Sequence, residues 1–371
     1  MIPVPINAPV LTTLIAVLAV FVYVASDVMG LSPSKNKFPV EGRTVLLTGG
    51  SQGMGKGLGK LLARKGANLI IVARDKKKLE AALGEISAEA KSPSQRFHYI
   101  SADVTSPEEN TRLLNESTAW NNGTPPDIVW ANAGSAHPTL FAETPIATLR
   151  SQMDINYWGA AYLSHAAISL FLRTPLPSPP PTTPQPPRHI IMTSSAAALV
   201  GLAGYSPYSP CKAAMRNLAD TLRNEMNLYN GARRRALANP STLSVGSVRP
   251  PDRDVNIHVV IPGTILSPGL DNENKMKHPV TQLLEEGDPA QTEDEVAAAA
   301  IRGLEKGEFM VATTWLMSVL SAGMRGGSPR GNVVLDTVMS WIVSVVWLFM
   351  GPELEGKVWG YGKKNGLGKV E

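Results

Sequence analysis

The sequence predicts an α/β fold: a doubly wound parallel sheet with helices on both faces, an N-terminal membrane anchor and a C-terminal apolar segment. Three observations predict it. Short apolar runs without polar interruption recur, as at Val45-Leu46-Leu47 and from Asn68 to Val72. Such runs suit parallel strands buried on both faces. A glycine-rich turn joins the first run to a helical pattern, the entry to a nucleotide-binding βαβ unit. Finally, Val10 to Ala25 carries no charge and, with Ala8 and Pro9, approaches the about 17–25 residues of a membrane span.

At 371 residues the chain accommodates one large domain plus extras. We divide it into an anchor over 1–30, a Rossmann-type domain over 40–313, and a membrane-associated region with a basic tail over 314–371. A net charge of +4 is too mild to imply nucleic acid. The single cysteine, Cys211, excludes an internal disulfide framework and any Cys-rich zinc site, and no metal is expected. Both facts fit a catalytic part in a reducing compartment. Asn115-Glu116-Ser117 and Asn122-Gly123-Thr124 match the glycosylation pattern, a chance match in a cytosolic domain.

No Lys or Arg precedes Lys35, whereas Lys35, Lys37 and Arg43 follow the first apolar stretch. The positive-inside rule then places the bulk of the chain in the cytoplasm. A cleaved signal peptide, the competing reading, usually has a basic start. Ser32 to Pro39 reads as a linker.

The first strand stops at Thr48-Gly49-Gly50, and Leu58, Leu61 and Leu62 mark one face of the helix that follows. Glycines there let the backbone approach a pyrophosphate, and the helix N-terminus adds N–H groups. Three other readings share these residues. Gly50 to Lys56 is a P-loop without the hydroxyl that Mg²⁺ requires, since Gly57 stands in its place. Gly49-x-Ser51-x-Gly53 matches a hydrolase elbow, but no later His sits in a fitting context. Glycines that merely permit tight packing are the third.

The second strand ends at Ala73-Arg74 rather than at the acidic residue that suits a ribose 2′-hydroxyl. A guanidinium there suits a 2′-phosphate, and Lys78 shares its helical face. A solvated basic helix start is the alternative. Phe97 to Ile100 forms the third strand, followed by Asp103, which either meets an adenine or caps the next helix. Ile128 to Trp130 is the fourth, ending in Asn132-Ala133-Gly134 where open α/β sheets meet their ligands. A helix over Met153 to Leu172 carries Asn156. Thr174 to Pro187 is a proline-rich surface loop.

His189 to Thr193 is the fifth strand, before Ser194-Ser195. Tyr208-Ser209-Pro210-Cys211-Lys212 opens a helix to about Tyr229, with Tyr208 and Lys212 one turn apart. Asn230 to Arg253 reads as a basic insertion, and Ile257 to Ile261 as the sixth strand. Ile265 to Gln291 lacks a long periodic run and reads as a mobile cover. Glu293 to Lys306 is helical, Glu308 to Thr313 is a last strand, and Trp315 to Met324 is apolar but too short to span. Val333 to Met350 is long enough, interrupted only by Asp336, and basic residues on both flanks leave its topology open.

From Gly42 to Thr313 the pattern resembles the short-chain dehydrogenase/reductase family. The resemblance rests on TGGSQGMG at 48–55, Asp103-Val104, Asn132-Ala133-Gly134, Asn156, Ser195 thirteen residues before Tyr208, Tyr208-x-x-x-Lys212 and Pro262-Gly263. It implies that Tyr208 is the general acid in ketone reduction, with Lys212 lowering its pKa, Ser195 holding the substrate oxygen and Asn156 anchoring a proton-relaying water. The implied cofactor is NADPH, contacted by Gly49, Ser51, Gln52, Gly53, Gly55, Arg74, Lys78, Asp103, Val104, Asn132 and Ile265, with Tyr208 and Lys212. Taken singly, a Ser at a strand end is often a cap and a Tyr-Lys pair is often packing; their joint occurrence favours catalysis.

Residues 48–80 most resemble the branch of that family in sphingolipid synthesis. This implies reduction of 3-ketosphinganine, a long-chain lipid ketone, at the cytosolic face of the endoplasmic reticulum membrane. The residues from Ile261 to Ser267 look less like mammalian members of that branch. A steroid, retinoid or fatty acyl ketone is the alternative substrate, and a non-catalytic lipid- or protein-binding scaffold the alternative role. Intact Ser195, Tyr208 and Lys212 argue against the scaffold. The sequence admits a homo-oligomer without specifying one.

Overall fold

A computed structural model of the protein describes residues 36–174, 176, 185–239 and 249–367. The expected anchor over 1–30 and much of the proline-rich loop lie outside the described residues. Seven parallel strands form one sheet in the order β3-β2-β1-β4-β5-β6-β7. They are β1 (Thr44–Thr48), β2 (Asn68–Ala73), β3 (Phe97–Ser101), β4 (Ile128–Ala131), β5 (Arg188–Thr193), β6 (Val255–Ile261) and β7 (Met310–Ala312). Each strand with an apolar run proves buried on both faces, because side chains alternate. Leu47, Ile71 and Trp130 pack against Leu58 and Leu62 of α1 (Gly53–Arg64), Leu79 of α2 (Lys76–Ser87) and Val296 of α9 (Glu293–Lys306). Leu46, Ile70 and Val129 face the other way. They meet Leu113 of α3 (Pro107–Trp120), Leu163 of α5 (Gly159–Phe171) and Met215 of α6 (Ser209–Ala238). Each such large side chain taken from water stabilises the fold by roughly 1.5–3 kcal/mol.

The order of strands fixes where a ligand fits. From β1 the chain winds outward to β2 and β3, then returns to β4 and winds the other way. The reversal leaves a crevice beyond the carboxyl ends of β1 and β4. At the amino ends of the strands, buried Arg188 forms a two-pronged pair with Asp252 at 3.1 and 2.9 Å. Arg253 pairs with Asp127 at 2.6 Å. The end of the stretch expected as an insertion thus anchors β5 and β6.

Four expectations change. The helix over Met153 to Leu172 is divided into α4 (Ile146–Met153), a π-turn over Asp154–Trp158 that carries Asn156, and α5. Helix α6 continues nine residues past Tyr229 to Ala238, because Asn230 and Arg233 bond to Val255 and Asp252 instead of turning away. The cover over Ile265 to Gln291 is built from two short helices, α7 (Pro268–Asn274) and α8 (Pro279–Glu285), capped by Ser267 and His278. Beyond α10 (Trp315–Met324), the last apolar segment is one helix, α11 (Val333–Asn365), which runs through Pro352.

Helix α11 is long and apolar enough to cross a membrane by length and composition. Yet it packs on α10 and α8: a Cβ on Gly323 of α10 would strike Val343, and Tyr361 stands edge-on to His278 at 5.7 Å. Its other side exposes Trp341, Val345, Leu348 and Phe349.

Candidate active site

The crevice holds a cavity of about 590 Å³. Thr48, at the end of β1, shapes its floor: its hydroxyl accepts from the backbone N–H groups of Asn132 and Ala133 at 3.0 and 3.1 Å. The end of β4 is thereby pinned against the glycine turn. Gly49 has φ +67°, and a Cβ there would lie 2.9 Å from the backbone of Ala133. A Cβ on Gly55 would lie 2.0 Å from the Gly49 carbonyl oxygen. Only glycine lets these backbones approach so closely.

Ser51, Gln52 and Gly53 line the cavity at the start of α1. Gly53 has φ +56°, and a Cβ there would meet only the Ser267 side chain, at 3.5 Å. Arg74 is exposed on the lining. Lys78 is also exposed but is not among the lining residues; it reaches the glycine turn through Gln52 Oε1 at 3.5 Å. Burial would raise the Asp103 carboxyl, but bonds from the Thr105 backbone and hydroxyl and the charge of Arg74 hold it below its usual range. The same Oδ1 accepts both Thr105 bonds, and Ser106 rather than Asp103 caps α3. Val104 packs at Gly159, and Ile265, bridged to Gln291, lines the cavity. A backbone cradle at a helix N-terminus fits the pyrophosphate of a dinucleotide.

On the other wall stand Ser195, Tyr208 and Lys212. Ser195 lies two residues past β5 in extended backbone, where its hydroxyl accepts from Ala197 N at 3.2 Å. Tyr208 sits at the N-cap of α6, and Lys212 follows one turn later, its ammonium 5.5 Å from the phenol ring centroid. The ammonium donates to Thr193 O at 2.9 Å, and the Ser194 hydroxyl donates to Lys212 O at 2.9 Å. Burial pushes the Lys212 amine down to about 8.

The expected lowering of Tyr208 by Lys212 is not what these groups produce. Dense surroundings push the phenol above its usual range, opposed by a hydrogen bond with Ser195 and reinforced by the charge of Glu273. The ammonium points at Thr193 instead of at the hydroxyl.

Asn156 is buried in the π-turn, where its amide accepts from Ser135 N and donates to Ser135 O and Gln152 O. It reaches the reaction wall across Gly134. A Cβ on Gly134 would lie 2.7 Å from Asn156 Oδ1 and 3.2 Å from Lys212 Nζ. Asn132 accepts from the Thr193 hydroxyl, which itself accepts from Trp130 Nε1, each at 3.0 Å.

Sequence reasoning missed several lining residues. Tyr205 comes from the segment between β5 and α6, Glu273, Lys277 and Glu285 from the cover, and Trp347, Met350 and Leu354 from α11. The spacing of the last three, at i, i+3 and i+7, is a helical face legible in hindsight. Nothing in the charges of the cover announced that Lys277 would be buried.

Glycine turn, strand order and Ser-Tyr-Lys wall together define a dinucleotide-dependent oxidoreductase. The chain belongs to the short-chain dehydrogenase/reductase family: the model described as "short chain dehydrogenase" matches residues 43–238. It is 47% identical to the 3-ketodihydrosphingosine reductase ksrA of Aspergillus fumigatus, over 93% of this chain and 91% of that one. The 3-ketodihydrosphingosine reductase gsl-3 of Neurospora crassa is 44% identical over 87% of this chain and 83% of its own. Zebrafish (Danio rerio) 3-dehydrosphinganine reductase is 28% identical over 85% and 84%. A solved short chain dehydrogenase/reductase from Burkholderia phymatum, in complex with NAD, shares the fold with TM-score 0.59. It is 15% identical and covers 78% of this chain and 95% of its own.

Proposed function

We propose that the protein reduces 3-ketosphinganine to sphinganine with NADPH, working at the cytosolic face of the endoplasmic reticulum membrane. One observation carries the reading. A single cavity is lined by the glycine turn, by Ser195, Tyr208 and Lys212, and by the apolar Leu316, Met317, Leu320, Trp347, Met350 and Leu354. A polar reaction end and an apolar wall in one space suit a ketone on a hydrocarbon chain. The names of the similar fungal and fish proteins favour the same substrate.

In this reading Gly49, Gly53 and the start of α1 bind the pyrophosphate, Arg74 with Lys78 holds the 2′-phosphate, and Lys212 steadies the nicotinamide ribose. When bound, NADPH supplies the hydride that reaches the ketone carbon. Tyr208 gives its hydroxyl proton to the ketone oxygen. Ser195 hydrogen-bonds that oxygen and stabilises its developing charge. The phenol's raised pKa keeps the proton in place until the oxygen becomes basic. Protonated Lys212 stabilises the phenolate left behind, and water held at Asn156 reprotonates the pair.

Helix α11 gives the site its link to the membrane. Trp347 and Met350 face the cavity while Leu348 and Phe349 are exposed. We read it as lying on the bilayer surface, where the substrate's tail passes from lipid to protein. Lipid chains lose about 0.8 kcal/mol per CH₂ on leaving an apolar phase, which makes capture there favourable.

The test is a product assay on detergent-solubilised full-length protein, with 3-ketosphinganine, a sterol ketone and a retinoid ketone, each with NADPH and NADH. Turnover of 3-ketosphinganine with NADPH is expected, and exclusive turnover of the sterol ketone would end the reading. Arg74→Ala should cut the NADPH-over-NADH preference at least about tenfold, since a charge-assisted hydrogen bond contributes about 1.5–3 kcal/mol. An unchanged preference would move the 2′-phosphate elsewhere.

A further inference from the structure

Helix α6 carries more than the reaction wall. Tyr208, Lys212, Arg216 and Asp220 follow one another at intervals of four, so they share one side of the helix. Arg216 and Asp220 take no part in the hydride or proton steps. The last carbonyls of a helix have no partner within it, and α10 ends beside these two residues. The Arg216 guanidinium donates to Met324 O at 2.8 Å, to Arg325 O at 2.7 Å and to Ser328 Oγ at 3.4 Å. The Ser328 hydroxyl in turn donates to Asp220 Oδ2 at 2.6 Å. The helix dipole also favours a cation at the end of α10.

The turn held in this way is tied to α11 as well. Arg325 donates to Pro329 O at 2.9 Å and stands 3.6 Å from the Asp336 carboxylate in the first turn of α11. Asp336 also accepts from Gly331 N at 2.8 Å. Arg325 and Ser328 are buried. A Cβ on Gly323 would lie 2.4 Å from Val343, so α10 and α11 are packed as one unit. Leu316, Met317 and Leu320 of α10 and Trp347, Met350 and Leu354 of α11 line the cavity. Arg216 and Asp220 thus join this apolar wall to the helix that bears Tyr208 and Lys212.

We propose that Arg216 is a positioning residue for long-chain substrates, holding the tail wall in register with the reaction wall. This rests on the ketone-reduction reading above and deepens it. A tail laid along α10 and α11 gains binding energy far from the ketone. That energy aligns the ketone with Tyr208 and Ser195 only if the wall and the reaction centre are firmly joined. A ketone too short to reach the wall gains nothing from the joint. Asp220 and Ser328 brace it from the side, and neither touches the reacting atoms.

Chain length tests this directly. Full-length protein in detergent is assayed with 3-ketosphinganine and with an analogue whose hydrocarbon tail is cut to a propyl group. Arg216→Met should lose at least about tenfold in kcat/KM on 3-ketosphinganine, the effect of losing hydrogen bonds to a charged group. Part of that loss should fall on kcat, because tail binding serves alignment. On the propyl analogue the variant should stay within about twofold of wild type. NADPH affinity should hold, because Lys212 keeps its bond to Thr193 O. Ser328→Ala loosens the joint without altering α6 and should show the same split at about threefold. Equal loss on both ketones in either variant, or wild-type use of 3-ketosphinganine in both variants, overturns the proposal and leaves ketone reduction standing. Turnover of neither ketone by the wild type overturns the reduction reading and this proposal with it.

Discussion

Tyr208→Phe should slow ketone reduction by about 10²–10⁴-fold, the contribution usual for a positioned general acid. The substitution removes one oxygen and keeps the ring that packs 6.0 Å from Tyr205 and 5.5 Å from the Lys212 ammonium. Cofactor affinity, followed by quenching of NADPH fluorescence, should therefore change little. The loss should fall on kcat, because the proton is needed in the transition state and not in the bound ground state. A variant that turns over at the wild-type rate would remove Tyr208 from the proton step. A variant that loses NADPH affinity by a similar factor would make its role structural.

The second large effect concerns Lys212. Its ammonium is buried and donates to Thr193 O at 2.9 Å, and burial has brought its pKa down from 10.5 to about 8. Burial disfavours the charged form, so the proton leaves at lower pH than from a free lysine. In the proposed mechanism reduction needs the charged form, which stabilises the phenolate that Tyr208 becomes. The rate should hold steady below about pH 8 and fall tenfold per pH unit above it, measured as kcat/KM. Lys212→Met should lose about 10²–10⁴-fold in rate and lose this alkaline limb. A profile flat to about pH 10 in the wild type would show that the amine's charge is not required.

The sheet and its reaction wall were legible because their signals are local. Val45 to Leu47 reads as a buried strand, Gly49 and Gly55 mark close backbone approach, and Tyr208 with Lys212 needs only one helical turn to be brought together. Positions that depend on distant partners were not. Asn156 was named, but not the π-turn that holds it, which breaks the 3.6-residue period without a glycine or proline inside it. Helices α7 and α8 are seven residues each, too short for periodicity, and the Lys277–Glu285 pair that ties them is tertiary. Asp252 and Arg253 belong to a stretch that composition marks as an insertion, yet they lock β5 and β6 through Arg188 and Asp127. The pKa of Tyr208 misled for a related reason. Spacing brings the lysine near, but spacing carries no information about burial, and burial outweighs the neighbour here.

Tracing the hydride tests the central claim most directly. Full-length protein is supplied with 3-ketosphinganine and NADPH carrying deuterium at the transferable position, and the product is analysed by mass spectrometry. The account predicts sphinganine with one deuterium, bonded to the carbon that bore the ketone. Recovery of unreduced ketone, or of sphinganine without deuterium at that carbon, would contradict it.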